Sequence, residues 1–148
     1  MTRSRKVLLV VAAVLIVIQF FRPSRNNGDA DGANAISKKY QVPENVQSIL
    51  KQSCYDCHSN KTKYPWYANV QPVGWWIQYS HVNDGRRHLN FSEYASYSEK
   101  KAKKKFEEIA DEVRDGEMPL NTYTFMHHDA VLTAEQAQTL VVWAESLK

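Results

Sequence analysis

The sequence predicts a small all-α fold. Apolar residues recur at helical spacing in several segments, no segment sustains the period-two alternation of a strand, and no internal repeat is visible. A chain of 148 residues is long enough for one domain. Aliphatic residues are few for that length, so we expect a large apolar cofactor to complete a core of about four helices.

Residues 1–21 are predicted to form a signal anchor. Three basic residues precede an apolar run over residues 7–21 that only Gln19 interrupts, an arrangement typical of a signal sequence or a membrane anchor. As a helix the run spans about 22 Å, short of a hydrocarbon core of about 30 Å, although flanking basic side chains can snorkel. The residues that follow lack the small side chains that signal peptidase needs, which favours a retained transmembrane helix over a cleaved signal.

The basic residues around this run also predict the orientation of the chain. More positive charge precedes the run than follows it, which favours a cytoplasmic N-terminus. The sequence therefore predicts a single-pass inner-membrane protein whose domain faces the periplasm. Residues 22–39 are rich in Asn, Asp, Gly and Ser and are predicted to be a flexible linker. The folded domain is expected over residues 40–148.

The net charge of +3 comes entirely from the N-terminal part. Residues 1–31 carry five basic and two acidic side chains, which leaves fourteen of each sign in the rest of the chain. A domain that binds nucleic acid has a basic footprint, so nucleic acid is excluded as a partner. The lysine-rich run over residues 100–105 is interpreted as a solvated helix face, with a docking patch for an acidic redox partner as the alternative. The oligomeric state is not predicted.

The first helix of the domain is expected after Pro43. Val46, Ile49 and Leu50 have the spacing of one helix face, and the pattern continues into residues 53–54. A proline-punctuated aromatic loop follows. Residues 73–88 are then predicted to be helical.

Two further helices are predicted in the C-terminal half. Ser98 can cap the first of them, and Gly116 is a natural stop beyond its end. Thr133 and Gln136 form a capping box at the start of the last helix, which continues to the C-terminus.

The segment CYDCH contains the only two cysteines of the chain, Cys54 and Cys57, followed directly by His58. The C-x-x-C-H pattern is the attachment signature of c-type haem. Residues i and i+3 lie on one helix face, so both thiols can form thioethers with one haem while the histidine binds the iron. We expect the carbonyl of Pro65 or Pro72 to accept a hydrogen bond from the far nitrogen of His58.

Three other uses of the cysteine motif remain as alternatives. A thioredoxin-like dithiol needs a βαβ context, and no strand is predicted. A zinc site needs four ligands, whereas only Cys54, Cys57 and His58 are close in sequence. A plain disulfide is possible in an oxidising compartment, although a two-residue spacer strains it. One covalently attached haem c is favoured over all three.

The predicted axial ligands of the iron are His58 and Met118. A methionine thioether is a soft donor that raises the haem potential. Met118 lies in the stretch DGEMP, where Gly116 frees the chain from the preceding helix and Pro119 stiffens the loop. The alternatives for the sixth position are Met126, His81, His88, His127, His128 or an open site.

These motifs resemble a known group of proteins. The order of CYDCH, GEMP and a terminal amphipathic helix with Trp143 resembles the cytochrome c superfamily. More narrowly, the stretches KTKYPWYANVQPVGWW, HVNDGRRHLNFS and MPLNTYTFMHHDA resemble the membrane-anchored bacterial haem-binding domain family, over residues 40–148. The resemblance implies a cytochrome c-like fold around one covalent haem held by Cys54, Cys57 and His58. The aromatic loop departs from the ordinary small cytochrome c, which has a glycine–proline turn soon after the haem histidine.

The function predicted from these features is one-electron transfer by a membrane-anchored periplasmic c-type cytochrome. Iron closed by His58 and Met118 leaves no place for a substrate, so the expected partners are redox proteins in or near the membrane. An electron carrier is therefore favoured over a catalyst. Two alternatives stay open. One is a peroxidase-like enzyme that uses His81 with Arg86 or Arg87, and the other is a haem sensor or interaction module with a labile distal ligand.

Overall fold

The computed structural model describes residues 2–148, and its regular elements are helical. Eight α-helices lie within these residues: α1 Arg3–Ile18, α2 Glu44–Ser53, α3 Tyr55–His58, α4 Val73–Trp76, α5 Asp84–His88, α6 Glu99–Arg114, α7 Asn121–Thr124 and α8 Ala134–Glu145. A π-helix, Ile77–Asn83, joins α4 to α5. Short 3₁₀ turns occur at Ile36–Lys38, Trp66–Asn69, Tyr94–Ser96 and His128–Ala130. Residues 2–148 contain no strand, so the all-α prediction is confirmed.

The core lies between α2, α6 and α8, with α6 packed against α8. Its central side chain is Phe106, whose ring is perpendicular to that of Trp143 at 5.6 Å between centroids. Full burial of one such side chain contributes about 1.5–3 kcal/mol. The core residues that these three helices supply are Val46, Ile49, Leu50, Ala102, Phe106, Ile109, Ala110, Val113, Leu140, Val141, Trp143 and Ala144.

The predicted helix boundaries in the C-terminal half are confirmed. The Ser98 hydroxyl accepts a hydrogen bond from the backbone N–H of Lys101 at the start of α6. Gly116 follows α6 with a φ of 72°, a left-handed conformation that glycine adopts without strain. Thr133 and Gln136 form both bonds of the capping box before α8.

The predicted transmembrane helix is wrong. α1 contains 16 residues and spans about 24 Å, whereas a hydrocarbon core is about 30 Å thick. It ends where the Gln19 side chain donates to the Gln71 carbonyl at 3.1 Å and accepts from the Gln71 N–H at 2.8 Å. Within residues 2–148, no helix has both the length and the apolar character needed to cross a membrane. The prediction of a single-pass inner-membrane protein is corrected accordingly.

Residues 22–39, predicted to be a linker, make contacts with the rest of the chain. Asn26 and Ile36 are buried. The backbone N–H of Ile36 donates to the Phe91 carbonyl at 2.8 Å, and the Asn26 side chain donates to the Ser59 carbonyl at 2.9 Å. These contacts bring the segment against the loops that follow α3 and α5. The domain boundaries themselves stay predictions.

Candidate functional site

A cavity of about 260 Å³, called the main cavity here because the cysteine motif lines it, lies between α3, α5, α6 and the segment 118–123. Its surface is mainly apolar, which suits a flat apolar cofactor better than a small polar substrate. The apolar side chains that line it include Leu50, Phe91, Ile109, Val113, Leu132 and Leu140. Cys54, Cys57, His58 and Met118 line the same cavity, although 60 residues separate the histidine from the methionine. The four side chains singled out from the sequence therefore meet at one place.

The imidazole of His58 is held by two backbone carbonyls. Its Nδ1 lies 3.0 Å from the Gly85 oxygen and 3.1 Å from the Leu89 oxygen. A carbonyl can only accept, so Nδ1 carries the proton and Nε2 keeps a free lone pair, as an iron ligand requires. Burial lowers the pKa of His58, although both carbonyl hydrogen bonds oppose that effect. The expectation that Pro65 or Pro72 supplies the acceptor is wrong.

The carbonyls reach His58 because α5 packs closely on α3. A Cβ built on Gly85 would lie 2.8 Å from the Cys57 oxygen and 3.0 Å from the Cys57 Cβ. Only glycine allows this approach without a shift of the backbone. Gly85 thus brings its own oxygen to His58 while its Cα faces the second cysteine of the motif.

The two cysteine side chains are not joined in a disulfide, and their surroundings disfavour the thiolate form. Burial raises the pKa of Cys54 and of Cys57 to about 12, and the charge of a neighbouring group adds to each shift. A reactive dithiol or a zinc site works through thiolates, which low pKa values favour. Moreover, no group of three or more His, Cys, Asp or Glu side chains suited to a metal ion occurs within residues 2–148. The zinc and thioredoxin alternatives therefore lack support.

Met118 is half-buried and follows the C-terminus of α6. Its backbone N–H and that of Glu117 donate to the Glu112 carbonyl, at 3.1 and 3.0 Å. These bonds fold the chain back over the end of α6 after Gly116, and the methionine reaches the main cavity. A thioether and an imidazole in one apolar cavity, with two thiols beside the imidazole, form a donor set that fits a c-type haem.

The other candidate ligands divide into two groups. His81 and His88 line the main cavity, whereas Met126, His127 and His128 do not. Nδ1 of His81 is buried without a hydrogen-bond partner among residues 2–148, and its Nε2 lies 3.4 Å from the Thr122 hydroxyl. The His88 side chain is 67% exposed, with its Nε2 3.8 Å from an Asp84 oxygen. The better-buried candidates for the sixth position on the cavity wall are therefore Met118 and His81.

One hydrogen bond near the main cavity is not indicated by any motif in the sequence. The Tyr123 hydroxyl donates to Asp56, the residue directly before Cys57, over 2.9 Å. Burial raises the pKa of Tyr123 above its ordinary range, and the Asp56 carboxylate adds to the shift. Both side chains line the main cavity. Only the fold brings them together, because 67 residues separate them in the chain.

Comparison with known proteins gives one family match. Neither the curated proteins nor the solved structures include a significant match to the chain. The family model described as "Haem-binding domain" matches residues 13–146. That match covers nearly the whole chain, including the cysteine motif and the complete main cavity. The chain therefore belongs to the haem-binding domain family.

Proposed function

We propose that this member of the haem-binding family is a monohaem c-type cytochrome that carries single electrons. In this proposal Cys54 and Cys57 attach the haem covalently, and His58 and Met118 bind its iron. The observation that carries the proposal is that these four side chains line one apolar cavity, with Nε2 of His58 free. With His58 and Met118 both bound, the iron would have no coordination site left for a substrate.

Each part of the cavity has a role in this proposal. The Gly85 and Leu89 carbonyls fix the orientation of His58 and increase the basicity of its ligating nitrogen. The apolar walls exclude water, and a thioether from Met118 favours the reduced state. A bound haem supplies the one-electron iron couple. The chain then acts by holding both axial ligands in place while electrons enter and leave without bond breaking.

The covalent attachment is tested by intact-mass analysis of the full chain, produced with a working c-type maturation system. We expect the wild type to gain the mass of one haem. The single variants Cys54→Ser and Cys57→Ser keep one thioether each, and the double variant loses covalent haem altogether. A wild-type product with two free thiols and no haem overturns the proposal.

The distal ligand is tested by the far-red charge-transfer band that reports sulfur ligation to ferric haem. Met118→Ala should abolish this band. Met126→Ala is the matched control, because Met126 is 52% exposed and does not line the main cavity, so it should keep the band. A band that is absent from the wild type contradicts the assignment of Met118 and leaves the haem itself unaffected.

His81 supports a second distal arrangement, because it lines the same cavity and has a buried nitrogen without a partner among residues 2–148. In that arrangement His81 binds the iron when the methionine is absent or displaced. Met118→Ala would then remain six-coordinate and low-spin, while Met118→Ala combined with His81→Ala would become high-spin. A high-spin spectrum in Met118→Ala alone excludes the histidine.

The electron partner is proposed to be a redox protein with an acidic surface. Lys105 lines the main cavity, and Lys100, Lys103 and Lys104 are exposed on the same helix. Lys104 and Lys105 pair with Glu108, whereas Lys100 and Lys103 have no ion pair within residues 2–148. The positive charge of these two lysines should speed encounters with anions. We expect Lys100→Gln with Lys103→Gln to slow oxidation by ferricyanide at low salt and to speed oxidation by a cationic cobalt complex. Equal effects on both reagents contradict this docking face.

A further inference from the structure

A second pocket, of about 420 Å³, shares no lining residue with the main cavity. Three segments build it: residues 24–28, the loop at Asn60, and the stretch from the π-helix to α5. Its surface is mainly polar, and no acidic residue lines it. None of its lining residues is a proposed haem ligand or lines the main cavity, so a failure to bind a ligand at this pocket would not contradict the proposed function.

Two arginines line this second pocket, and neither has a carboxylate within ion-pair distance among residues 2–148. Arg86 makes one hydrogen bond, from a terminal nitrogen to the Asn60 side-chain oxygen at 2.9 Å. Its Nε is buried and has no partner within the same residues. Arg25 lies over the Tyr64 ring, with 4.8 Å from the guanidinium carbon to the ring centroid, and donates to Asn69. A guanidinium has five N–H donors, so most of this donor capacity is unused.

The neighbouring amides also leave donors available. Gln78 is 4% exposed, and its Nε2 donates to Oδ1 of Asn83 at 2.8 Å. That bond fixes which end of the Asn83 amide is the acceptor, so its NH₂ group is free to donate. Gln78 and Asn83 are the second and last residues of the π-helix, whose wide turn brings both to the pocket wall. The amide of Asn60 is already engaged with Glu93, at 2.7 Å.

From these donors we propose that the second pocket binds a small oxyanion of the phosphate class. Arg86 is half-buried with its Nε unpaired, whereas Arg25 is exposed. A buried guanidinium N–H without a partner is unfavourable, and an oxyanion would satisfy it with a charge-assisted hydrogen bond. In this proposal Arg86 donates its unused N–H groups to the anion, and Asn83 donates its amide NH₂. Arg25 adds a second positive charge. The bound anion would join the N-terminal segment to the π-helix and α5.

The site is tested by calorimetric titration of the full-length haem-loaded protein with inorganic phosphate, at an ionic strength held constant with sodium chloride. We expect saturable binding of one phosphate per chain. Arg86→Gln should weaken this affinity about tenfold or more, the loss typical of a hydrogen bond to a charged group. Arg87→Gln is the matched control. Arg87 is the next residue of α5, is paired with Asp84 and does not line the pocket, so its variant should bind phosphate like the wild type.

A third variant tests the site independently, in case Arg86→Gln does not fold. Asn83→Asp keeps the oxygen that accepts from Gln78 and adds a negative charge that occupies the site, so it should abolish phosphate binding with both arginines present. Absence of saturable binding in the wild type overturns the inference. Equal weakening by Arg86→Gln and Arg87→Gln also overturns it, because general charge attraction would then explain the binding.

Discussion

The Tyr123 hydroxyl donates a hydrogen bond of 2.9 Å to the carboxylate of Asp56, and so joins the segment after Met118 to a residue between the two cysteines. The other oxygen of Asp56 accepts from the backbone N–H of Lys63 at 2.9 Å. The His127 ring stacks on Tyr123, with centroids 4.4 Å apart. The wall that carries the proposed distal ligand is therefore tied to the motif that carries the proposed proximal ligand.

Tyr123→Phe removes this bond and leaves the ring. Because the acceptor is charged, we expect the free energy of unfolding to fall by about 1.5–3 kcal/mol. Amide hydrogen exchange over residues 118–124 should become faster, because α7 loses its link to α3. Urea unfolding followed by circular dichroism measures the first effect, and exchange followed by mass spectrometry measures the second.

Tyr55→Phe is the control for this substitution. It removes a hydroxyl from the same short helix as Asp56, but that hydroxyl accepts from the neutral Gln47 amide at 3.1 Å. Loss of a neutral hydrogen bond should lower the free energy of unfolding by about 0.5–1.5 kcal/mol. It should leave exchange over residues 118–124 unchanged. Equal acceleration of that segment in both variants would show that Tyr123 does not fix the distal wall.

Gly85→Ala tests the close packing of α5 on α3. The new methyl would lie 2.8 Å from the Cys57 carbonyl oxygen, so the helices must separate at a cost of about 1–3 kcal/mol. The same shift would move the Gly85 oxygen away from Nδ1 of His58 and should change the reduction potential of the bound haem. Urea unfolding and redox titration measure the two effects.

Gly32→Ala is the matched control, because a Cβ there would meet its nearest neighbour, an Asp29 side-chain oxygen, at 3.6 Å. An ordinary contact of this kind should change the stability by less than about 0.5 kcal/mol. If Gly85→Ala is as stable as Gly32→Ala and has an unchanged potential, α5 does not pack closely on α3.

The helices were largely predictable because their signals are local. The spacing of Val46, Ile49 and Leu50 and the caps at Ser98 and Thr133 involve residues within one or two turns, and all occur as expected. The anchor prediction failed because hydropathy reports composition and not where a helix ends. α1 ends at Ile18, and the next residue, Gln19, is hydrogen-bonded to Gln71, 52 residues further along the chain.

In the candidate site, too, features with a local sequence signal were predictable and features that depend on tertiary contacts were not. The C-x-x-C-H and GEMP motifs identified four side chains that share one cavity. The partners of His58 were missed because they are backbone carbonyls of Gly85 and Leu89, which have no signature in the side-chain sequence. Asp56 and Tyr123 were missed for a related reason, since only tertiary packing brings them together.

Glu108 should make the stability depend on acid pH. Burial alone would raise its pKa, but the hydrogen bond and charge of Lys105, together with the charge of Lys104, lower it below its ordinary value. The folded state therefore keeps this carboxylate ionised to a lower pH than the unfolded chain does. The stabilisation that the ionised Glu108 gives the folded state is fully present above the ordinary pKa of a glutamate. It is lost as the pH falls through the lowered pKa of the folded state.

Glu108→Gln should consequently reduce stability at pH 7 by less than about 1 kcal/mol, because the carboxylate is partly exposed. The difference from the wild type should shrink as the pH falls below about 4.5. Glu107→Gln is the control, because Glu107 is exposed on the same helix and has no ion pair within residues 2–148. Urea unfolding at several pH values provides the comparison, and a difference that grows on acidification contradicts a lowered pKa for Glu108.

Phe106→Ala tests whether α6 and α8 depend on one shared aromatic contact. Phe106 is fully buried, and its centroid lies 5.0 Å from that of Tyr40 and 5.6 Å from that of Trp143. Truncation leaves a cavity at the centre of the core and should cost about 3–5 kcal/mol. Phe125→Ala removes the same atoms from a ring that is 75% exposed, and should change the stability by less than about 0.5 kcal/mol.

Because α6 also lines the main cavity through Ile109 and Val113, loss of Phe106 should weaken haem retention as well as folding. Urea unfolding and haem absorbance in the same samples measure both effects, and equal stabilities of the two variants would mean that the core lies elsewhere.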